Sequence, residues 1–142
     1  MPLVSNVENF AVRVTSELIV NTAGDWTFLT NSDDGVRLRI DGADVIVDNA
    51  LHPDADRWGT TNLSTGSHDL ELIFFEHTGI ASLELTAAQG NYPVYSSAST
   101  YTPYANNSSD FQLVGDTLNG VQAVPFEFSP GIGLFLSLSI IG

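Results

Sequence analysis

The chain has no cysteine and no lysine, and only four arginines among its 142 residues. The missing thiols exclude a disulfide framework, a thiolate zinc site and a cysteine nucleophile, so any metal must be held by oxygen or imidazole. The scarcity of cations against 17 acidic residues leaves a net charge of −13, which repels nucleic acid and anionic lipid. No apolar pattern of period 3.6 persists for three turns, which argues against helices. The apolar run Ile132 to Gly142 would reach only about 16 Å as a helix, against a hydrocarbon core of about 30 Å. At the start, Met-Pro-Leu-Val-Ser-Asn lacks a basic region followed by an apolar run, so no signal peptide is expected in the chain as given.

What is present is hydrophobicity at period 2. Apolar residues make up 43% of the chain, enough for one globular core. Phe10, Val12 and Val14 alternate with Ala11, Arg13 and Thr15, and Val36, Leu38 and Ile40 with Arg37, Arg39 and Asp41. Each such run predicts a strand with one face to bury. Asp41-Gly42 before Val45 and Val47 predicts a tight hairpin. The longest run, His68 to Glu76, with Leu70, Leu72 and Phe74 on one face, reads as a central strand. The expected fold is therefore an all-β, antiparallel β-sandwich. Residues 1–90 read as its core, 91–124 as a Ser/Thr/Asn-rich linker with one last strand near Phe111 to Val114, and 125–142 as a tail. Asn49 to Thr61 breaks the alternation and reads as a surface loop, with Trp58 folding back as a lid.

The densest group of oxygen ligands is Asn31-Ser32-Asp33-Asp34-Gly35, in a turn between two strands. In an extended chain, successive side chains point to opposite faces, so Asp33 and Asp34 share a ligand only if the bond between them is bent or cis. Two readings of this turn stand. In one, the carboxylates hold a hard cation, Ca²⁺ first. In the other, Asp and Asn side chains accept backbone N–H bonds while Gly35 supplies a positive φ. Asp48, Asn49, His52, Asp54 and Asp56 form a second polar group, read as a solvated acidic loop. Trp58, Tyr92, Tyr95, Tyr101 and Tyr104 are aromatics that either stack on sugar rings or pack at edges. The three histidines lack the His-Glu-x-x-His spacing, the acidic segments lack an EF-hand register, and no nucleophile grouping has recognisable spacing, so no enzyme is expected.

The run Asp25 to Gly42, then Val45-Ile46-Val47-Asp48-Asn49, Leu63-Ser64-Thr65-Gly66-Ser67-His68, Phe74-Phe75-Glu76 and Gly79 to Leu85 resembles the PA-14 domain family. These are β-sandwich modules named after anthrax protective antigen and found in flocculins, bacterial adhesins, toxins and beside glycosidases. Many members are lectin-like. In the sugar-binding members, two adjacent Asp joined by a cis peptide hold one Ca²⁺, whose open positions take two vicinal hydroxyls. The resemblance puts these on Asp33 and Asp34, next to Gly35. It matches the second ligand loop to Glu76-His77-Thr78-Gly79-Ile80, with His77 where an Asn or Gln is expected and main-chain carbonyls of His77, Thr78 and Gly79 as further ligands.

The segment Val124-Pro125-Phe126-Glu127-Phe128-Ser129-Pro130, followed by the apolar run, resembles a PEP-CTERM sorting tail of the kind found in cyanobacterial exported proteins. Its full membrane span and basic cluster are missing. The same residues also read as a last apolar strand. Taken together, the resemblances imply a non-catalytic, Ca²⁺-dependent module that binds glycans or extracellular polysaccharide on a secreted or cell-surface protein. Asp33 and Asp34 hold the ion, His52, Trp58, Glu76 and His77 line the pocket, and any membrane contact runs only through the tail. The alternative is a structural spacer or protein-interaction sandwich in which the Asp-Asp-Gly turn is only a turn.

Overall fold

Alternation of apolar and polar residues produces nine strands and no helix among the described residues. In the computed structural model, which describes residues 8–92, 111–115 and 122–130, β1 (Phe10–Val20), β2 (Gly24–Asp33), β3 (Val36–Ile40), β4 (Ala43–Asp48) and β5 (Ala55–Leu63) are followed by β6 (Gly66–Glu76), β7 (Ser82–Gln89), β8 (Gln112–Leu113) and β9 (Gln122–Pro130). One sheet has the order β4-β3-β6-β1-β9 and the other β5-β2-β7-β8. All pairings are antiparallel.

The core forms where the two sheets turn their apolar faces together. Phe10, Val12, Val14, Leu18 and Val20 from β1, Val36, Leu38 and Ile40 from β3, and Leu70, Leu72 and Phe74 from β6 meet Phe28, Leu63 and Ala87 of the second sheet. Because side chains alternate along a strand, the inward row of β6 continues past its apolar residues to His68 at one end and Glu76 at the other. Both are buried. A smaller cluster of Leu29, Ala88 and Phe111, with Tyr92 against it, packs on the outer side of the second sheet.

The Asp41-Gly42 turn takes the left-handed conformation at both residues, φ +50° and +78°, as a two-residue hairpin requires. The expected loop from Asn49 to Thr61 is shorter than the sequence suggests. Residues 55–63 form β5, an edge strand paired on one side to β2 from Gly24↔Leu63 to Ser32↔Ala55. The row that shares the face of Phe28 is Ala55, Arg57, Gly59 and Thr61, with a large apolar residue only at Leu63, so no apolar alternation marks the strand. Trp58 accordingly lies within a strand, opposite Leu29, and is not a lid carried by a loop. Nor is the sandwich confined to residues 1–90, since β8 pairs with β7 and β9 with β1. The stretch compared with a sorting tail lies in β9 as far as Pro130, and residues 131–142 lie outside the described residues, as do Tyr95, Tyr101 and Tyr104.

The sheet edges meet where β4 passes β5. A Cβ on Gly59 would lie 2.0 Å from the Val45 carbonyl oxygen, so only glycine permits the approach. We therefore predict that Gly59→Ala lowers stability by about 1–3 kcal/mol, the usual cost of overpacking, seen as a lower denaturant midpoint with unchanged slope. A neutral effect would mean that the two edges are not in contact.

Candidate metal centre

Three connections converge at one end of the sandwich: β2 to β3, β4 to β5, and β6 to β7. Antiparallel register sets this, because it places Asp33 opposite Ser82 and Val36 opposite Phe74. The Asp33–Asp34 peptide is cis. One carboxylate oxygen each from Asp33, Asp34 and Glu76 lie within 4.8 Å of one another.

The three carboxylates differ in how they are satisfied. Asp34 is buried and accepts the His52 backbone N–H at 2.9 Å on Oδ1 and the His77 backbone N–H at 2.9 Å on Oδ2. It thus ties the two flanking loops to the turn. Glu76 is only 1% exposed, and neither of its oxygens has a partner of hydrogen-bond geometry. Burial raises its carboxyl above the ordinary 4.5, Asp34 and Asp33 push it further, and the Asp34 backbone N–H pulls the other way. Asp33, half-buried, is raised from 3.8 first by burial, then by Asp34 and Asp54, with His52 opposing. The centre therefore concentrates negative charge in a place that disfavours it.

Gly35 serves by its size. Its φ is not the positive one that the turn-only reading expects; instead, a Cβ would meet the Phe75 ring at 2.2 Å and the Asp48 carbonyl oxygen at 2.6 Å. Its carbonyl accepts the Phe75 N–H at 3.0 Å, which pins the turn to the end of β6 beside Glu76.

A second network braces the β4–β5 loop. Asp48 is buried, and its Oδ2 pairs with Arg57 Nε at 2.6 Å and His52 Nε2 at 3.0 Å. Its Oδ1 accepts the Ala50 N–H at 3.0 Å. The expected solvated loop is therefore partly ordered by an ion pair, with its polar residues divided. Asp56 accepts a hydrogen bond from Asn31 Nδ2 at 3.0 Å, and Asp54 one from Ser82 Oγ.

The residues expected to line the site separate in the same way. Asp33, Asp34 and Glu76 come together, Gly35 packs beside them, and His52 and His77 reach Asp34 through their backbone amides. The His77 carbonyl accepts the Asn9 N–H at 2.9 Å. His77, Thr78 and Gly79 form an exposed loop, with Gly79 at φ +113°. Trp58, opposite Leu29, lies four positions back along β2 from Asp33. Residue-type reasoning gives no signal for the two amide contacts to Asp34, because backbone groups carry no sequence signature.

Linkage gives the sign of a pH effect. An acid raised in the folded state contributes stability that falls as pH rises from its ordinary value through the raised one. In chelator, we predict that Glu76→Gln becomes more stable than wild type as pH climbs above 4.5, visible as a widening gap in melting temperature. A gap that stays constant with pH would contradict the buried, unpaired state of Glu76.

The chain matches the family model described as PA14 domain over residues 5–106. Among solved structures, it is similar to a PA14 sugar-binding domain from an RTX adhesin, with 26% identity, TM-score 0.55, 64% of this chain covered and 53% of the other. It is also similar to an anti-sigma factor domain-containing protein, with 28% identity, TM-score 0.54, 56% of this chain and 28% of the other. The PA14 domain of the MpAFP antifreeze protein, at 17% identity, TM-score 0.56, 62% of this chain and 47% of the other, shares the fold. This chain thus spans about half the length of the adhesin chain it matches. No match is found among curated proteins. With its two antiparallel sheets and a family match over most of its length, the chain belongs to the PA14 domain family.

Proposed function

We propose that this chain is a non-catalytic, Ca²⁺-dependent carbohydrate-binding module of an exported or cell-surface protein. The observation that carries the reading is Glu76, a carboxylate whose two oxygens are buried without a partner of hydrogen-bond geometry among the described residues, gathered with Asp33 and Asp34 within 4.8 Å. A carboxylate taken out of water without a partner is costly, and a hard cation is the counter-charge that oxygen-only donors suit. Asp33, Asp34 and Glu76 would hold the ion, with Thr78 and Gly79 in the adjacent loop. When bound, Ca²⁺ takes about 6 to 8 oxygens, so the ion offers open positions to two vicinal hydroxyls of a sugar.

The chain's own residues do the rest. Asp34 fixes the β4–β5 and β6–β7 loops through its amide contacts, and the Asp48, His52 and Arg57 network stiffens the first of these loops. Support also comes from the adhesin domain, described as sugar-binding, at 26% identity. Three carboxylate oxygens gathered within 4.8 Å are close enough to share one hard cation.

A second reading, a spacer without ligand, draws on Asp34, whose two oxygens are already satisfied by backbone N–H groups. Calorimetry on the full chain separates the two. We expect saturable Ca²⁺ heat for wild type, at least about tenfold weaker binding for Glu76→Gln, equivalent to about 1.4 kcal/mol, and none for Asp33→Ala/Asp34→Ala. A glycan array should then give signals in Ca²⁺ that vanish in chelator. A flat trace for folded wild type at millimolar Ca²⁺ would leave the spacer reading.

A further inference from the structure

The end of the sandwich away from the acidic cluster holds its own buried titratable group, His68. We propose that this end is closed by a pH-sensitive latch, in which a doubly protonated His68 imidazole ties the β5–β6 turn to the β3–β4 hairpin. His68 is 8% exposed. Its Nδ1 lies 2.6 Å from Asp41 Oδ2 and its Nε2 lies 2.8 Å from the Ser64 carbonyl oxygen. An ionised carboxylate and a carbonyl only accept. A neutral imidazole carries one N–H, so its other nitrogen would face one of these oxygens lone pair to lone pair. Only the imidazolium satisfies both contacts.

Asp41 is held in place for this role. Its Oδ1 accepts the Asp69 N–H at 2.8 Å, and its own N–H donates to the Asp69 carbonyl at 2.8 Å. The charged groups on the elements around His68 are Asp41, Arg39 and Asp44 on the hairpin, Asp69 on its own strand and Glu17 on β1. Arg39 is engaged with the Gly42 carbonyl at 2.6 Å and with Asp44 at 3.4 Å and Glu71 at 3.5 Å. Glu17 stands opposite Asp69, and Leu18 opposite His68. In the facing sheet, Asp25 accepts a hydrogen bond from Asn62. The surroundings of the imidazole are thus mainly anionic.

The Asp41 contact, then the Ser64 carbonyl, raises the imidazole above its ordinary 6.5, while burial opposes. The latch is therefore complete below pH 6.5 and lost as pH rises through the raised value. On the acid side, Asp41 is lowered from 3.8, chiefly by its bond to His68, so the latch holds until pH falls through that lowered value. Along β6, His68 and Glu76 are separated by about 26 Å at the usual strand rise. Opening the latch thus loosens two turns and leaves the acidic cluster in place.

Nitrogen-detected NMR of the imidazoles in the full chain tests the latch. We expect two N–H signals on His68 at pH 6.5, a titration midpoint above that value, and protection of the Asp69 amide that falls by up to about tenfold per pH unit between 6.5 and the midpoint and levels off beyond it, after correction for intrinsic exchange. The melting-temperature gap between wild type and His68→Gln should close over the same range. A single-N–H tautomer at pH 6.5, or a midpoint at or below it, would overturn the latch. If the variant does not fold, the wild-type titration alone decides.

Discussion

A carboxylate cannot be taken out of water at low cost unless something replaces the water, and among the described residues no group meets the Glu76 oxygens with hydrogen-bond geometry. The residue is forced inward by the simplest rule of the fold. It shares the face of Leu70, Leu72 and Phe74, and β6 is held in register by β1 on one side and β3 on the other. Turning it outward would turn out three core residues with it. The acidic end is organised around this constraint. The Asp-Asp turn lies against Glu76 because Gly35 is small enough to pack on Phe75, and the flanking loops are drawn in by the Asp34 oxygens.

The two ends of β6 solve the same electrostatic problem in different ways. At one end, the inward-facing His68 finds a carboxylate and a carbonyl, and the charged imidazole is stabilised by contacts made within the chain. At the other, the inward-facing Glu76 meets two more carboxylates, which raise its proton affinity further. Arg13, Arg37 and Arg39 are engaged on the outer face of the first sheet with Glu71 and Asp44, and Arg57 is engaged with Asp48. A chain with four cations has placed none of them in ion-pair contact with the cluster. The centre thus has no cationic side chain in ion-pair contact among the described residues, which is the ground for the cation proposed there.

Much of the sandwich was legible because its strands are amphipathic. The Phe10 to Val14 and Val36 to Ile40 alternations, the Asp41-Gly42 hairpin and the central strand follow from period 2 and turn chemistry. β5 carries no such signal, because its core-facing row of Ala55, Arg57, Gly59 and Thr61 has no large apolar residue before Leu63. The turn-only reading gives Gly35 a conformational role, whereas its real constraint is the Phe75 ring and the Asp48 carbonyl, neighbours distant in the chain that local sequence cannot reveal. In the site, adjacency and family resemblance point to Asp33 and Asp34, and the resemblance also names Glu76 as a pocket residue, without its place in the acidic cluster. Extending the β6 alternation one step beyond Phe74 would have identified Glu76 as an inward-facing carboxylate. The backbone amides of His52 and His77 were beyond sequence reasoning, because any residue type supplies them.

The central claim is that these three carboxylates form one cation site. A crystal structure of the full chain grown in saturating Ca²⁺, followed by exchange with Tb³⁺ and an anomalous difference map, tests it most directly. The account predicts a single strong peak with carboxylate oxygens of Asp33, Asp34 and Glu76 at about 2.3–2.6 Å. A map with no peak among them, or with Glu76 turned away from an ion held elsewhere, would contradict it.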